Sequence, residues 1–182
     1  MMRVVIPRYF VVAEAMHEIQ NPTSPEKLLR LGRLLGLERG SRVLDIASGR
    51  GGPALLLAGV SGCTWHGIEL SPDFHAVAVE RIAEAGLAER VTVELSDAAR
   101  AAHETESYDA ALCLGASFVY GSLADTVDAL APAVRPGGHV SSGSRTGAAF
   151  RFRRTTRTAA SRGRRSRARS RSSSHAVYPS CR

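Results

Sequence analysis

Leucines at 28, 29, 31, 34 and 35 recur at the three- and four-residue spacing of a helix with one buried face. Thr23-Ser24-Pro25-Glu26 precedes them with a cap residue, a proline suited to the first turn and an acid near the positive helix end. A helix is therefore predicted from about Pro25 to Leu35, with Gly36 and Gly40 ending it. Arg42-Val43-Leu44-Asp45-Ile46-Ala47 follows as an apolar run short enough for a buried parallel strand. The same reading predicts a helix over 53–60, a strand over 65–69, and a helix opened by Ser71-Pro72 and reaching Ala85. Strands over 91–95 and 108–114, a helix over 124–134, a Pro136-Gly137-Gly138 turn and a fifth strand at about His139 complete the series. Strand and helix alternate, so the fold class is α/β: a doubly wound, Rossmann-like sheet.

The pattern stops at Ser141, where Arg, Ser, Thr, Ala and Gly take over with almost no apolar periodicity. No sixth or seventh strand is readable there. Such a segment buries too little to offset its ordering entropy, so a sheet missing its last strands and a disordered basic tail are expected. Three parts result: an N-terminal segment over the site (1–24), one domain (25–140) and an Arg/Ser-rich tail (141–182).

Charge follows the same division. Of 24 Lys and Arg, 12 lie in residues 1–143 together with all 17 acids, whereas 144–182 hold 12 arginines and no acid. The net +7 thus hides an acidic domain and a basic tail. Only Lys27 is lysine, which points to a GC-rich coding sequence as the source of the arginines. Clustered cations can bind phosphate non-specifically, but among the arginines from 153 to 171 no aromatic is interleaved for base stacking. No run of 18 apolar residues occurs, Pro7 and Arg8 interrupt any leader-like stretch, and a cytoplasmic protein without a membrane partner is expected. Cys63, Cys113 and Cys181 show no C-x-x-C spacing, so neither zinc nor a disulfide framework is expected, only buried thiols.

Asp45-x-x-x-Gly49-x-Gly51 joins a strand end to a helix start, where glycines let a ligand approach the backbone and exposed N–H groups. Alone the pattern is unspecific: Gly49-x-Gly51-x-x-Ala54 also fits the fingerprint of a nicotinamide or flavin enzyme. Glu69 ends the next strand, 20 residues after Gly49, where a carboxylate can accept from both hydroxyls of a ribose; by itself it could equally be a solvated strand-end acid. Asp97 follows the third strand and faces the same crevice. Asp45 separates the two cofactor classes, because a carboxylate before the loop repels a pyrophosphate but suits a cationic amino-acid ligand.

With these residues in view, Val43 to Gly51 resembles motif I of the class I S-adenosylmethionine-dependent methyltransferases. Ile68-Glu69 resembles their ribose-binding acid and Ser96-Asp97-Ala98 their adenine-binding segment. Residues 109–116 and 130–138 resemble the fourth-strand motif and the turn before strand five, so the likeness covers 9 to about 140. Tyr9-Phe10, residues 17–22 and Gly115-Ala116-Ser117 are similar to a bacterial group acting on small molecules. The resemblance implies S-adenosyl-L-methionine as cofactor and a small-molecule methyl acceptor. Asp45 with the backbone at Ala47, Gly49 and Gly51 would hold the methionine and ribose portion, and Glu69 the ribose. Leu70, Asp97, Ala98 and Leu114 would line the nucleoside. His17 and Tyr120 are candidate catalytic residues, Ser117 a rim residue, and His66 a core residue.

The resembled group continues strand five with an apolar residue and then Val-Gly-Glu-Pro-Tyr-Trp-Arg, absent here. Residues 141–148 can be encoded as TCG TCG GGG AGC CGT ACT GGC GCN. Regrouped one nucleotide earlier, those bases read NTC GTC GGG GAG CCG TAC TGG CGC, an apolar residue and then that heptapeptide. The sequence after Val140 therefore permits an out-of-frame reading.

Overall fold

The computed structural model describes residues 12–13, 17, 19–20, 23–101, 103–143 and 150–156. The reading of 157–182 as disordered lies outside the described residues, as do most positions before residue 23.

Among the described residues from Pro25 to Arg154, four α-helices and six strands follow in the order α1 Pro25–Leu34, β1 Arg42–Ile46, α2 Gly52–Ser61, β2 Thr64–Glu69, α3 Pro72–Glu84, β3 Val91–Leu95, β4 Tyr108–Leu114, α4 Leu123–Leu130, β5 Val134–Gly143 and β6 Phe150–Arg154. Serines begin three of the helices. The side chains of Ser24, Ser71 and Ser122 accept from the N–H of Lys27, Phe74 and Asp125. Helix α2 instead starts after Gly51 in the left-handed region (φ 76°), with no side chain capping its first N–H groups.

The sheet runs β3-β2-β1-β4-β5-β6. Its first five strands are parallel, and β6 is antiparallel to β5. Alternate residues of the central strands β1, β2 and β4 feed two cores, as a pleated sheet covered on both sides requires. Val43, Trp65, Ala110 and Leu112 pack with Leu28 of α1, Leu57 of α2 and Ile82 of α3. Leu44, Ile46, Ile68, Ala111 and Val140 pack with Val127 and Leu130 of α4. The doubly wound expectation holds, and the strand order reverses between β1 and β4.

Three expectations are corrected. Helix α4 gives way to a short 3-10 turn over Ala131–Ala133, and β5 begins at Val134, ahead of the Pro136-Gly137-Gly138 turn. The turn is a bulge inside the strand: Tyr108 pairs with Val134, yet Ala110 pairs with His139. Gly137 supplies the positive φ (91°), and its N–H donates to Thr155 just beyond β6. Second, the segment after Ser141 is not structureless throughout. Pairing with β4 carries β5 on to Gly143, and residues 150–154 add an antiparallel strand, so backbone hydrogen bonding overrides weak apolar patterning. Third, His66 is not a core residue. Its ring is partly exposed, lies 3.2 Å from the Tyr108 hydroxyl through Nδ1 and pairs with Glu94 at 3.5 Å. Cys63 and Cys113 are buried free thiols, as expected.

The bulge has no room to spare. A Cβ added at Gly138 would stand 2.5 Å from the Asp109 carbonyl oxygen and 2.7 Å from Val134 Cγ1. Gly138→Ala is expected to destabilise the domain by about 1–3 kcal/mol, whereas Gly59→Ala, whose Cβ meets nothing within 4 Å, stabilises an exposed helical site by up to about 1 kcal/mol. Urea unfolding of the two variants measures the contrast.

Candidate functional site

The carboxyl ends of β1, β2, β3 and β4 meet where the strand order reverses, the place at which open α/β sheets bind ligands. The β1 loop is wound by three positive φ angles: Ala47 (55°), Gly49 (58°) and Gly51 (76°). Ala47 is a non-glycine residue in this region, a conformation that costs about 1–2 kcal/mol. It is sustained by ties on the following peptides. Ser48 N–H donates to the Ile68 carbonyl, and Gly51 N–H to the Ser48 carbonyl.

Glu69, last in β2, joins this loop to the start of α3. Its Oε2 accepts from Gly49 N–H at 2.8 Å and its Oε1 from Ser71 N–H at 2.8 Å. Only 4% of the residue is exposed. Burial pushes its carboxyl up, against the backbone N–H groups of Ser71, Gly49 and Leu70 and nearby His75, which favour the charged form. An ionised carboxylate has about four acceptor sites, so these donors leave capacity for a ligand's hydroxyls.

Asp45 sits beneath the loop rather than on it. It is 2% exposed and accepts one hydrogen bond, from Trp65 Nε1 at 3.3 Å. Gly67 pairs opposite Asp45 on β2. Desolvation raises the Asp45 carboxyl to about 7; the Trp65 hydrogen bond works against that shift and the charge on Glu69 adds to it. Two buried acids thus share the floor of the crevice.

Asp97 and Ala98 follow β3. Asp97 accepts from Ala99 N–H at 3.1 Å and pairs with Arg100 at 3.3 Å, while Ala98 is buried. The Tyr120 hydroxyl donates to the Ala98 carbonyl at 3.2 Å, binding the β4 loop to the β3 loop. Burial, then Cys113 and Asp97, push this phenol up to about 12. It stays protonated near neutrality and is a donor to the Ala98 carbonyl. Leu114 is buried at the end of β4, and Leu70 is 36% exposed beside Glu69. His17 is exposed, and its main-chain carbonyl accepts from Arg50 Nη1 at 3.2 Å. Ser117 opens the short 3-10 turn after β4, and its carbonyl accepts from the Thr126 hydroxyl.

The structure thus gathers Asp45, Ala47, Gly49, Gly51 and Glu69 around one loop, and Asp97, Ala98 and Tyr120 around another. Spacing alone missed three participants. Trp65 stands opposite Val43, two residues before Asp45 on β1, and from there its Nε1 reaches the Asp45 carboxylate, a signal present in the register but not in the motif. Ser71 both caps α3 and binds Glu69. Gln20 lies on the loop, its Oε1 accepting from Arg50 N–H at 2.7 Å. Among the described residues no cluster of three or more His, Cys, Asp and Glu could hold a metal, and no helix is long and apolar enough to cross a membrane.

Residues 43–138, more than half of the chain, match the family model described as a methyltransferase domain. The chain belongs to this methyltransferase domain family. A SAM-dependent methyltransferase from Thiobacillus denitrificans, solved with S-adenosyl-L-homocysteine, is 41% identical, with TM-score 0.71 over 76% of this chain and 55% of that one. A SAM-dependent methyltransferase from Geobacter sulfurreducens, also solved with S-adenosyl-L-homocysteine, gives the same figures. YjhP of Escherichia coli, an uncharacterized protein, is 40% identical over 133 residues, 73% of this chain and 53% of its own. The chain spans about half the length of these relatives.

The two acids of this methyltransferase domain carry a pH signature. Asp45 binds its proton more tightly folded than unfolded, so between about pH 4 and 7 the native state holds the extra proton and stability falls as pH rises. Asp45→Asn is expected to flatten that slope in chemical unfolding measured from pH 4 to 8.

Proposed function

We propose that this chain carries the S-adenosyl-L-methionine-binding half of a methyltransferase acting on a small-molecule acceptor. The observation that carries the reading is the Glu69 carboxylate, buried at the end of β2 with acceptor capacity left after Gly49 and Ser71. A vicinal diol matches that capacity. The uncapped start of α2 and the left-handed loop before it suit a ligand that approaches the backbone closely. Asp45, its carboxyl raised to about 7 by burial and held beside Glu69, gains from a nearby ammonium or sulfonium and loses from a pyrophosphate. That chemistry, with the family match, favours this cofactor over a dinucleotide.

When bound, the cofactor supplies a methyl group already activated on a positively charged sulfur. Glu69 holds the ribose hydroxyls. Asp97 accepts from the adenine amino group, the Ala98 N–H meets the ring, and Leu70 and Leu114 border it. The Ala47, Gly49 and Gly51 backbone follows the amino-acid end, with Asp45 beneath acting through the loop. Tyr120 keeps the β3 and β4 loops together through Ala98 and keeps its own proton. The remaining task is to align the acceptor with the methyl group and exclude water. No dedicated base is required of these residues. Calorimetric titration tests this: wild type is expected to bind S-adenosyl-L-methionine and not NADH, and Glu69→Ala to bind about 10- to 100-fold more weakly, the loss of hydrogen bonds to a charged group. Binding of NADH in place of S-adenosyl-L-methionine overturns the reading.

We propose further that residues after Val140 are read out of frame. Ser141 and Ser142 are 2% and 0% exposed inside β5, and Ser142 Oγ has no partner among the described residues. An unpartnered buried hydroxyl costs about 1–3 kcal/mol. The shifted frame supplies an apolar residue and valine at these positions, keeps glycine at 143, and continues into the family heptapeptide. Resequencing the locus is expected to reveal a one-nucleotide difference near the Val140 codon; a reading frame identical to the present one through residue 182 contradicts the proposal.

A further inference from the structure

The β1 loop is held from above as well as from below. Gln20 Oε1 accepts from Arg50 N–H at 2.7 Å, and the same oxygen points at Gly49: a Cβ built there would collide with Oε1 and stand 3.1 Å from Cδ. Arg50 is tied at two further points, its carbonyl accepting from Arg81 Nη1 at 2.9 Å and its own guanidinium reaching the His17 carbonyl at 3.2 Å. On the loop's other side, Gly49 N–H is held by Glu69. Each peptide from Ser48 to Gly51 thus has a partner, and the one on Arg50 N–H, Gln20, comes from the N-terminal segment before α1. Glycine is required at 49 both for its φ of 58° and for the room that Gln20 occupies.

We infer that Gln20 is a positioning residue for the amino-acid end of the nucleoside ligand: it locks the Gly49-Arg50 peptide in the shape that end is bound by. The inference rests on the cofactor reading above. Its location follows from the sheet. The strands run β3, β2, β1 in order, with Asp97-Ala98 at the first end, Glu69 at the second and the Gly49 loop at the third. A ligand with its base at β3 and its ribose diol at Glu69 extends its remaining end over the β1 loop, under Gln20. Preorganising that peptide before binding lowers the ordering cost at this end alone. The base and ribose, held by Asp97, Ala98 and Glu69, are insensitive to Gln20.

The test is calorimetric titration of wild type, Gln20→Ala, Gly49→Ala and the double variant with S-adenosyl-L-homocysteine and with 5′-methylthioadenosine, which has the same base and ribose but no amino-acid group. Gln20→Ala is expected to weaken S-adenosyl-L-homocysteine about tenfold and to leave 5′-methylthioadenosine within twofold. Gly49→Ala displaces Gln20, so its cost for S-adenosyl-L-homocysteine is expected to be smaller when Gln20 is already alanine. Equal losses for both ligands, no loss for either, or strictly additive effects of the two substitutions overturn the inference. Failure of wild type to bind either ligand is a different result, and overturns the cofactor reading itself.

Discussion

A single buried carboxylate holds the crevice together. Glu69 accepts from Gly49 on one side and Ser71 on the other, so the end of β2 fixes both the β1 loop and the start of α3. Backbone donors to a carboxylate at 4% exposure are charge-assisted and poorly screened, which makes them among the stronger contacts in the domain. Ala47 remains in its strained left-handed conformation because the peptides after it are pinned in this way. The rest of the site depends on that geometry.

Below the loop, Asp45 is the counterpart: one tryptophan donor, almost no solvent, and a second acid nearby. A core built only for stability would not retain such a pair, since apolar replacements of similar volume remove the desolvation cost. Its placement under a loop that faces a ligand crevice gives it a use, and the cationic end of a sulfonium amino acid is the chemistry that relieves it. Above the loop, the N-terminal segment adds Gln20 through an amide seated on a glycine. The site is therefore assembled from three levels of one crossing point, with β3 and β4 joined beside it by Tyr120.

Much of this was legible along the chain. Strands β1 to β4 and helices α1 and α3 stood out because short apolar runs alternate with capped, amphipathic stretches, and Ser24-Pro25 and Ser71-Pro72 are local signals. Asp45, Gly49, Gly51, Glu69 and Asp97 were visible through their places at strand ends. The elements that escaped depend on contacts distant in sequence. Pro136-Gly137-Gly138 reads as a turn, yet Thr155 and the β4 backbone convert it into a bulge within β5. Strand β6 alternates Phe and Arg over its first four residues in an arginine-rich background, and only the edge of β5 gives that alternation a partner. The hydrogen bond of Trp65 to Asp45 follows from strand register, and the seat of Gln20 from a contact 30 positions away in sequence that no spacing rule encodes.

The central claim is that one ligand lies across the ends of β3, β2 and β1 with its diol on Glu69. A crystal structure of this chain with S-adenosyl-L-homocysteine tests it most directly. The account predicts both ribose hydroxyls within hydrogen-bond distance of the Glu69 carboxylate and the adenine beside Asp97 and Ala98. A nucleoside bound elsewhere, or one whose ribose does not meet Glu69, contradicts it.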